Sequence, residues 1–562
     1  MMAGLIAGVD VGGTFTDLVI FDPVNGTVRL AKVPTSLPNQ APGVLSAFEA
    51  AGADLSTIDL IVHGTTTTTN AVLERALCKT GLITTEGFRD VLELGRRTRP
   101  QAYGMHGRFV PIIPRDLRLE VPERLDARGR ILTPLDEAAV EKAALTLREM
   151  GCESLVIHFL HAYANPEHEK RAAEIAARVW PNSYITMGHA LLSESREYER
   201  GVTAAVNASV QPLLERYVSR LADQLADRGY VHDLLVMNGN GGMVSARSVS
   251  KEAVKTVMSG PASGVMAAVA TGRRAGMPDL LTYDMGGTST DVAMIRAGKA
   301  PVSNEIEVEY AMPIHVPMVD VRTVGAGGGS IARIDAGGLL RVGPESAGST
   351  PGPICYGRGG TRVTISDANL ILGRLPAERF GQAAEAARAA MQDQIARPLG
   401  LSVEEAAEAV VRIANTHMAG AIRMVSISLG ADPRDFALFA FGGAGPLHAV
   451  ALARELAVPR VLIPARPGIT NALGCVVADL RHDFVRTLNR PLDHVNIETV
   501  HAVLAEQESE GRRLIEQEKI TLTGIRAEYS ADMQFVGQTH LLRVPLPSAM
   551  PARRGETTLP TH

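Results

Sequence analysis

Residues 10–17 read Asp10-Val11-Gly12-Gly13-Thr14-Phe15-Thr16-Asp17, and residues 284–291 read Asp284-Met285-Gly286-Gly287-Thr288-Ser289-Thr290-Asp291. Both stretches follow the pattern Asp-x-Gly-Gly-Thr-x-Thr-Asp, and a short apolar run lies on each side of both. Two apolar runs joined by a Gly-Gly turn are typical of a β-hairpin. The sequence therefore predicts the same hairpin twice, about half a chain apart.

Each turn has the composition of a phosphate-binding site. Paired glycines allow positive φ values and close approach to a ligand, and successive N–H groups with a threonine hydroxyl form an anion site. Asp10 and Asp284 end the preceding strands, where each is predicted to hold Mg²⁺ through its water molecules. Two such turns predict two related lobes that grip one polyphosphate. The predicted phosphate-binding residues are Gly12, Gly13, Thr14, Gly286, Gly287 and Thr288.

Composition limits the class of protein. The chain has 562 residues, which allows about three or four domains, and a net charge of −5 with 4 % aromatic residues. Such a composition argues against nucleic acid as a partner. The four cysteines are scattered, as in cytosolic proteins, and Gly442-Gly443 interrupts the uncharged segment 436–453 before it could span a membrane. We therefore expect a cytoplasmic protein without a membrane span.

Between the hairpins the chain alternates strands and helices, which predicts an α/β fold. One long helix is expected from about Glu199 to Ala226, with an interruption near Pro212. Residues 101–135, rich in Pro, Arg and Gly, are expected to be irregular. Residues 256–264 are expected to start a small-residue helix whose Ser/Gly amino end could face phosphate. Residues 495–519 are predicted to form a charged, exposed helix, followed by a last hairpin from segments 527–535 and 541–544.

The segment His63-Gly64-Thr65-Thr66-Thr67-Thr68-Thr69 separates a short strand from a helix. Its hydroxyls could cap the helix and face solvent, or they could form the polar wall of a pocket. His63 could equally be a structural histidine. A glycine loop, Gly325 to Gly329, fits neither the Gly-x-Gly-x-x-Gly nor the Walker pattern. Our candidate substrate residues are His63, Thr65, Thr66, Gly327 and Gly328.

The two hairpins and a late Phe441-Gly442-Gly443-Ala444-Gly445-Pro446 stretch resemble the two-lobed ATPases of the sugar kinase, Hsp70 and actin superfamily. The details, which span residues 4 to about 545, are most similar to the hydantoinase/oxoprolinase A-type subunits. That family includes N-methylhydantoinase, 5-oxoprolinase and the nucleotide-binding subunit of acetone carboxylase. The resemblance implies an ATP cleft between two α/β lobes, with Gly442, Gly443 and Gly445 against the adenosine.

The resemblance also implies an activity. Such a subunit uses ATP and Mg²⁺ to phosphorylate the carbonyl oxygen of a cyclic amide, such as 5-oxoproline or a hydantoin, so that water can open the ring. Asp10, Asp284 and Asp291 are the candidate catalytic residues, and a B-type partner subunit within a hetero- or homo-oligomer is expected. The alternatives are a carboxylase subunit that phosphorylates a ketone or bicarbonate, and an actin- or Hsp70-like ATPase without a metabolic substrate.

We expect three domains. Residues 1–195 would form the N-terminal lobe with the first hairpin, and residues 196–485 the ATPase core with the second hairpin and the adenosine turn. Residues 486–562 would form a C-terminal segment, shorter than is usual in the family that the chain resembles.

Overall fold

The computed structural model describes residues 4–36, 40–96, 109–309, 312–518, 520, 522–538 and 541–547. Contacts divide the chain into two compact units. The larger unit contains the described residues up to Arg481, and the smaller contains those from His482 onwards. Among the described helices, none combines the length and the apolar character that crossing a bilayer requires.

The strands of the described residues, in chain order, are β1 (Leu5–Val11), β2 (Phe15–Asp22), β3 (Thr27–Pro34), β4 (Ile58–Thr65), β5 (Thr80–Thr85), β6 (Arg118–Val121), β7 (Arg124–Leu125), β8 (Ile131–Thr133), β9 (Ser154–His158), β10 (Ile185–Met187), β11 (Leu234–Met237), β12 (Met243–Ser245), β13 (Leu280–Met285), β14 (Thr290–Ile295), β15 (Val302–Ser303), β16 (Ile306–Glu309), β17 (Met312–Ile314), β18 (Met318–Val319), β19 (Val321–Val324), β20 (Ser330–Ile334), β21 (Leu340–Ser346), β22 (Ala437–Phe441), β23 (Arg460–Leu462), β24 (Tyr529–Met533) and β25 (Leu542–Leu546).

The α-helices of the same residues are α1 (Ala41–Ala50), α2 (Thr67–Leu73), α3 (Val91–Leu94), α4 (Glu137–Glu149), α5 (Glu167–Ala176), α6 (Gly188–Leu191), α7 (Glu197–Asp227), α8 (Ala246–Val249), α9 (Ser259–Arg274), α10 (Ile365–Ile371), α11 (Gln382–Met391), α12 (Arg397–Leu399), α13 (Val403–Ser428), α14 (Gly445–Leu456), α15 (Thr470–Val477) and α16 (Ile497–Gln517).

Two sheets of the larger unit repeat one topology. The first has the order β12-β11-β4-β1-β2-β3 and the second the order β19-β14-β13-β22-β23. In each, the hairpin (β1-β2 or β13-β14) is extended by an antiparallel strand on one side and by two parallel strands on the other. Strands β4 and β22 therefore occupy equivalent places. We call the parts built on these sheets the first and second lobes, and they confirm the predicted two-lobed α/β class.

A third sheet, with the order β10-β9-β5-β6, is parallel throughout and extends the first lobe. Strand β6 corrects the expectation that residues 101–135 are irregular, although 101–108 lie outside the described residues. Arg118 begins β6 and is fully buried, because its guanidinium donates to the carbonyl of Ile113 (2.9 Å) and pairs with Glu93. A buried charge that is paired in this way is tolerated in a core.

Helix α7 lies between these sheets and is continuous, so the predicted interruption near Pro212 is wrong. Proline has no N–H, and the carbonyl four residues earlier loses its usual donor. That carbonyl belongs to Ala208, and the thiol of Cys78 lies 3.5 Å from it as a replacement donor. The backbone N–H of Cys78 also donates to the carbonyl of Ser209 (3.1 Å). Cys78, which lies outside the helix, thus donates in place of the N–H group that the proline lacks.

Helices α9 and α15 cross in direct backbone contact beneath the two hairpins. A Cβ atom at Gly474 would lie 1.8 Å from the carbonyl oxygen of Ser263, and one at Gly264 would lie 2.4 Å from the side chain of Asn471. Glycine is therefore required at both positions of the crossing. The crossing fixes where α15 presents its side chains to the hairpins.

The smaller unit contains α16 and the β24-β25 hairpin, which confirms the predicted charged, exposed helix and the last hairpin. No residue of α16 is buried. Inside this unit the hydroxyl of Tyr529 donates to Glu508 (2.5 Å), and His482 hydrogen-bonds with Glu518 (3.0 Å).

An ion-pair cluster attaches the β16-β17 hairpin, which leaves the second lobe, to α7 of the first. His315 lies 2.7 Å from Glu194 and 3.1 Å from Glu305, and Arg96 pairs with both Glu305 (2.7 Å) and Glu199 (2.9 Å). Burial alone would lower the pKa of His315, but the two glutamates raise it to about 9. The imidazolium therefore stabilises the fold below its unfolded pKa of about 6.5, and this contribution disappears as the pH rises through about 9.

We predict that His315→Gln lowers the apparent unfolding midpoint strongly at pH 6 and much less above pH 9. Losing these ion pairs should lower the free energy of unfolding by about 2 kcal/mol. The loss is no larger because one of the partners is partly exposed. Thermal unfolding at both pH values measures the difference. His417→Gln is the matched control, since His417 is exposed on α13. A deficit that is equal at both pH values would show that His315 acts by packing rather than by its charge.

Candidate functional site

The two predicted phosphate hairpins have matching turns. The N–H of Gly12 donates to the carbonyl of Phe15, and the N–H of Gly286 donates to that of Ser289, both at 3.0 Å. The expected positive φ values are absent from the glycines of both turns, so that part of the prediction is wrong. Their lack of a side chain matters instead for access, because a Cβ atom at Gly13 or Gly287 would meet no atom within 4 Å. Both turns present open, exposed backbone.

Different neighbours support the two turns. In the first hairpin, the hydroxyl of Thr35 donates to the carbonyl of Gly12 (2.8 Å). In the second, the N–H groups of Gly328 and Gly329 donate to the carbonyls of Gly286 (3.0 Å) and Gly287 (2.6 Å). Gly327 packs so tightly against the turn that a Cβ atom there would lie 2.5 Å from the backbone of Thr288. The structure thus places Gly327 and Gly328 behind the second turn, and their role toward a substrate stays a prediction.

Four aspartates gather where the hairpins meet. Asp10 pairs across the strands with Asp17, and Asp284 pairs likewise with Asp291. Burial, with the charges of Asp17 and Asp284, raises the pKa of Asp10 to about 7. Burial and the charge of Asp291 raise the pKa of Asp284 to about 7, and burial raises that of Asp291 to about 6. Burial is thus the main cause of these shifts, and repulsion between like charges adds to it at Asp10 and Asp284.

Three side chains reduce this repulsion. Lys32 holds Asp17 at 2.7 Å and also donates to the carbonyl of Gly468. The hydroxyl of Thr323 donates to Asp291 (2.6 Å). The amide of Asn471, on α15, donates to Asp284 (3.2 Å) and lowers the pKa of both Asp10 and Asp284. One amide therefore serves the two lobes together.

These residues fit a hydrated magnesium ion. Asp10 is 5 % exposed, and its Oδ1 is buried without a hydrogen-bond partner. Among the described residues no three His, Cys, Asp or Glu side chains could ligate one metal directly. Mg²⁺ keeps several water ligands and uses one or two carboxylates, which suits the pair Asp10 and Asp284. The metal positions that we predicted for these two residues remain a prediction.

The predicted adenosine turn packs directly against Asp284. Gly442 has φ of 82°, and a Cβ atom on it would lie 2.2 Å from Oδ1 of Asp284. The N–H of Ala444 donates to the carbonyl of Met285 (3.0 Å), and the hydroxyl of Tyr283 donates to that of Gly445. At Gly443, by contrast, an added Cβ atom would meet nothing within 4 Å. The turn is therefore tightly packed at Gly442 and open at Gly443.

The threonine segment after β4 is mostly occupied by internal contacts. Thr68 shares a hydrogen bond with Thr256 (2.6 Å), Thr69 accepts from the N–H of Met258 (2.9 Å), and the carbonyl of Thr65 accepts from Ser259 (2.9 Å). The segment thus anchors the start of α9. Thr66 is partly exposed and donates to the carbonyl of Val11 (3.2 Å).

His63 is fully buried, and its Nε2 lies 2.8 Å from the hydroxyl of Tyr217 on α7. Burial lowers the pKa of His63 to about 4, so the ring is neutral near pH 7. Thr65 is buried as well, and its hydroxyl donates to Thr67 (2.8 Å). Of the three first-lobe candidates, only Thr66 lies next to the aspartates. A substrate contact by His63 or Thr65 stays a prediction.

Sequence reasoning missed Asn471, Lys32 and Thr323. Asn471 is a polar residue at the start of the small-residue helix α15, and a lone amide in such a stretch carries no recognisable pattern. Lys32 is an exposed residue on β3, and its sequence neighbours give no sign of a role. Only its cross-strand pairing with Asp17 reveals one. The repeated second aspartate of each hairpin was the available signal that partners of this kind are needed.

Comparisons with known proteins identify the family of this chain. A family profile described as hydantoinase/oxoprolinase matches residues 200–484, and one described as its N-terminal region matches residues 6–180. The chain is 36 % identical to the caprolactamase subunit alpha of Pseudomonas jessenii, over 96 % of this chain and 80 % of that one. It is 30 % identical to the acetone carboxylase beta subunit of Xanthobacter autotrophicus, over 97 % of this chain and 80 % of that one.

The crystal structure of the ATP-dependent caprolactamase from Pseudomonas jessenii superimposes with a TM-score of 0.85 at 34 % identity, covering 96 % of this chain and 81 % of that chain. The two-lobed fold that the hairpins predicted is thereby confirmed. The two profiles together account for most of the larger unit, and each contains one of the two hairpins. The chain belongs to the hydantoinase/oxoprolinase family.

Proposed function

We propose that this chain is the ATP-using subunit of a cyclic amidohydrolase, which phosphorylates the carbonyl oxygen of a lactam or hydantoin, such as 5-oxoproline, to drive ring opening. The proposal rests on two open Gly-Gly turns, each preceded by an aspartate. The amide of Asn471 interacts with both of these aspartates, Asp10 and Asp284. Two anion-binding turns that face one group of acids suit a magnesium–polyphosphate complex. The similarity to an ATP-dependent caprolactamase supports the amide class.

The proposed reaction starts from a poor electrophile. The amide oxygen forms a bond to the γ-phosphorus of ATP, the bond to the bridging oxygen breaks, ADP leaves, and the N–H proton passes to water. Water then adds to the activated carbon, and the ring C–N bond breaks as the nitrogen takes up a proton. A second water hydrolyses the resulting acyl phosphate, which releases the carboxylate and phosphate. Phosphoryl transfer depends mainly on positioning and charge neutralisation. In this chain the turns at Gly12–Thr14 and Gly286–Thr288 would position the phosphates.

Asp10 and Asp284 would hold Mg²⁺ through water, and the ion would supply the positive charge that the transferring phosphoryl group requires. Asp291 lies beside Asp284 and is kept in place by Thr323. The turn Gly442–Gly445 would receive the adenosine, because its open side at Gly443 allows close approach of a ligand.

A partner subunit is part of the proposal. Relatives of this chain are named as alpha, beta or gamma subunits of caprolactamase and of two carboxylases. We propose that ring opening is completed with a B-type subunit in a cytoplasmic hetero-oligomer. A second candidate function, phosphorylation of a ketone or bicarbonate in a carboxylase, is favoured by the similarity to the acetone carboxylase beta subunit.

The deciding experiment measures phosphate release from ATP with a panel of acceptors. Lactams and hydantoins, ketones with bicarbonate, and no acceptor are compared at saturating Mg²⁺. We expect stimulation by a cyclic amide. Stimulation only by a ketone with bicarbonate would support the carboxylase, and unchanged hydrolysis with every acceptor would contradict both metabolic functions.

We predict that Asp10→Asn and Asp284→Asn each lower ATP turnover by at least ~100-fold. Each change removes a negative charge that a cation needs, yet relieves repulsion among the aspartates, so the unfolding midpoint should stay the same or rise. Steady-state turnover and thermal unfolding are measured on one preparation. Asp435→Asn, at an exposed position, is the control. Full turnover at saturating Mg²⁺ in either variant would remove that aspartate from the site.

We predict opposite effects at two neighbouring glycines. Gly443→Val should fold normally but bind a non-hydrolysable ATP analogue about tenfold more weakly, the equivalent of ~1.4 kcal/mol, because its side chain occupies the open face. Gly442→Ala should lower the unfolding midpoint instead, since its positive φ and its contact with Asp284 exclude a Cβ atom. Calorimetric titration and thermal unfolding separate the two effects. Unchanged affinity in folded Gly443→Val would assign the turn a purely structural role.

A further inference from the structure

Tyr356 is an exposed aromatic residue of the second lobe that the proposed function does not use. It ends a short 3₁₀ turn, Ile354–Tyr356, whose other two residues are buried. Tyr356 itself is 47 % exposed. A single exposed ring is common on protein surfaces, so its surroundings decide whether it can bind a ligand.

The ring of Tyr356 is fixed in place. Phe380 lies nearly parallel to it, with the ring centroids 6.4 Å apart and an angle of 13° between the planes. Phe380 in turn packs against the apolar core of the second lobe. The backbone before the tyrosine is anchored as well, because the N–H of Cys355 donates to the carboxylate of Asp367 (2.8 Å), which caps α10. Tyr356 is thus a rigid ring that is supported by a second ring and still open to solvent over nearly half of its surface.

This ring lies near both nucleotide turns of the second lobe. Burial raises the pKa of the Tyr356 phenol, and the side chain of Ser366 beside it lowers that pKa. The N–H of Ser366 donates to the carbonyl of Gly328 (2.8 Å), and the N–H of Gly328 donates to the carbonyl of Gly286 in the phosphate turn (3.0 Å). A Cβ atom at Gly328 would lie 4.0 Å from Cβ of Ala444, in the adenosine turn. Ser366 and Gly328 therefore connect Tyr356 to each of the two turns.

The chemistry of the exposed ring fits a flat heteroaromatic ligand. The π face of an aromatic ring carries partial negative charge, so it repels a phosphate but stacks well on a base. The glycines of the adenosine turn allow a ligand to approach closely, yet they have no side chain on which a base could stack. Tyr356 supplies the flat surface that the glycine turn lacks.

We infer that Tyr356 is the platform on which the base of the bound nucleotide stacks. The inference rests on the proposed function for the nucleotide itself, and it assigns to Tyr356 a role that the glycine turn cannot fill. Every base has a π face, so stacking strengthens binding without distinguishing adenine from guanine. Tyr356 therefore contributes affinity for the nucleoside part of the ligand and none for its phosphates.

The test compares three ligands on the full chain by calorimetric titration with Mg²⁺. These are non-hydrolysable analogues of ATP and of GTP, and inorganic tripolyphosphate, which has no base. We expect Tyr356→Ala to raise the Kd of both nucleotide analogues about tenfold, as the loss of one base–aromatic stack does. The Kd of tripolyphosphate should stay within about twofold of wild type. Tyr356→Phe keeps the ring and should stay within about threefold of wild type with all three ligands.

Two further variants separate stacking from folding. Tyr356→Leu keeps an apolar side chain against Phe380 but has no π face, so it should weaken nucleotide binding as the alanine variant does. Phe484→Ala is the matched control, because it removes an aromatic residue of the smaller unit that is 38 % exposed, and it should leave all three Kd values unchanged. Thermal unfolding is measured on every variant. In the wild type, equal Kd values for the ATP analogue and tripolyphosphate would overturn the inference without any variant.

The outcomes separate this inference from the function on which it rests. If Tyr356→Ala weakens tripolyphosphate as much as the nucleotides, the residue only supports the turns and the inference is wrong. If folded Tyr356→Ala binds both nucleotide analogues like the wild type, the base lies elsewhere, and the proposed function stands. If nucleotide binding depends on the ring but no acceptor stimulates phosphate release, the platform stands and the proposed acceptor reaction fails.

Discussion

The gathering of four carboxylates, two of them buried and two partly buried, is the constraint on which the rest of this structure depends. Asp10, Asp17, Asp284 and Asp291 stand on facing hairpins, and three of them have pKa values raised to between about 6 and 7. Like charges in a poorly screened site repel strongly, and a fold keeps such a group only when something compensates it. Lys32 and two neutral donors compensate part of the charge. The uncompensated part would favour a bound cation, as the proposed function requires.

Geometry rather than charge decides that the four aspartates meet at all. The two hairpins belong to sheets far apart in the sequence, and the crossing of α9 and α15 joins them. Because Gly264 and Gly474 bring the two helices into backbone contact, Asn471 reaches both lobes. A side chain at Gly474 would separate the helices and withdraw that amide. The same helix α9 begins at Ser259, whose hydroxyl donates to the carbonyl of Thr65, so one helix fixes both the crossing and the backbone at that end.

The sequence predicted the elements whose pattern is local. Both phosphate hairpins, the exposed helix at 495–519 and the last hairpin follow from apolar runs and charge pattern, and they were located closely. Strand β6 was missed because it begins with Arg118, whose burial depends on partners distant in the sequence. The continuity of α7 through Pro212 could not be predicted either, since the replacement donor is Cys78. In both cases, contacts with residues distant in the sequence outweigh the local preference of Arg118 for solvent or of Pro212 for a helix break.

The same limit applies to the site. The repeated motif identified the aspartates and the open turns, but a positive φ was expected where the requirement is only for space. His63 adjoins the threonines in sequence, yet it packs against Tyr217 in the core of the first lobe. Thr65, two residues further along β4 and therefore on the same face, is fully buried as well, whereas Thr66 is partly exposed, so residues close in sequence do not all reach one pocket. Asn471 had no motif at all, and only the helix crossing reveals it.

The two lobes repeat one hairpin but differ in the segment that follows the neighbouring parallel strand. In the second lobe the turn after β22 contains three glycines and remains open at Gly443. In the first lobe the equivalent segment has threonines, three of which are engaged in holding the start of α9. An open glycine turn suits a large, flat ligand that needs close backbone contact. If the proposed function holds, the difference between the nucleotide side and the acceptor side would arise from the segments after β4 and β22, and not from the hairpins themselves.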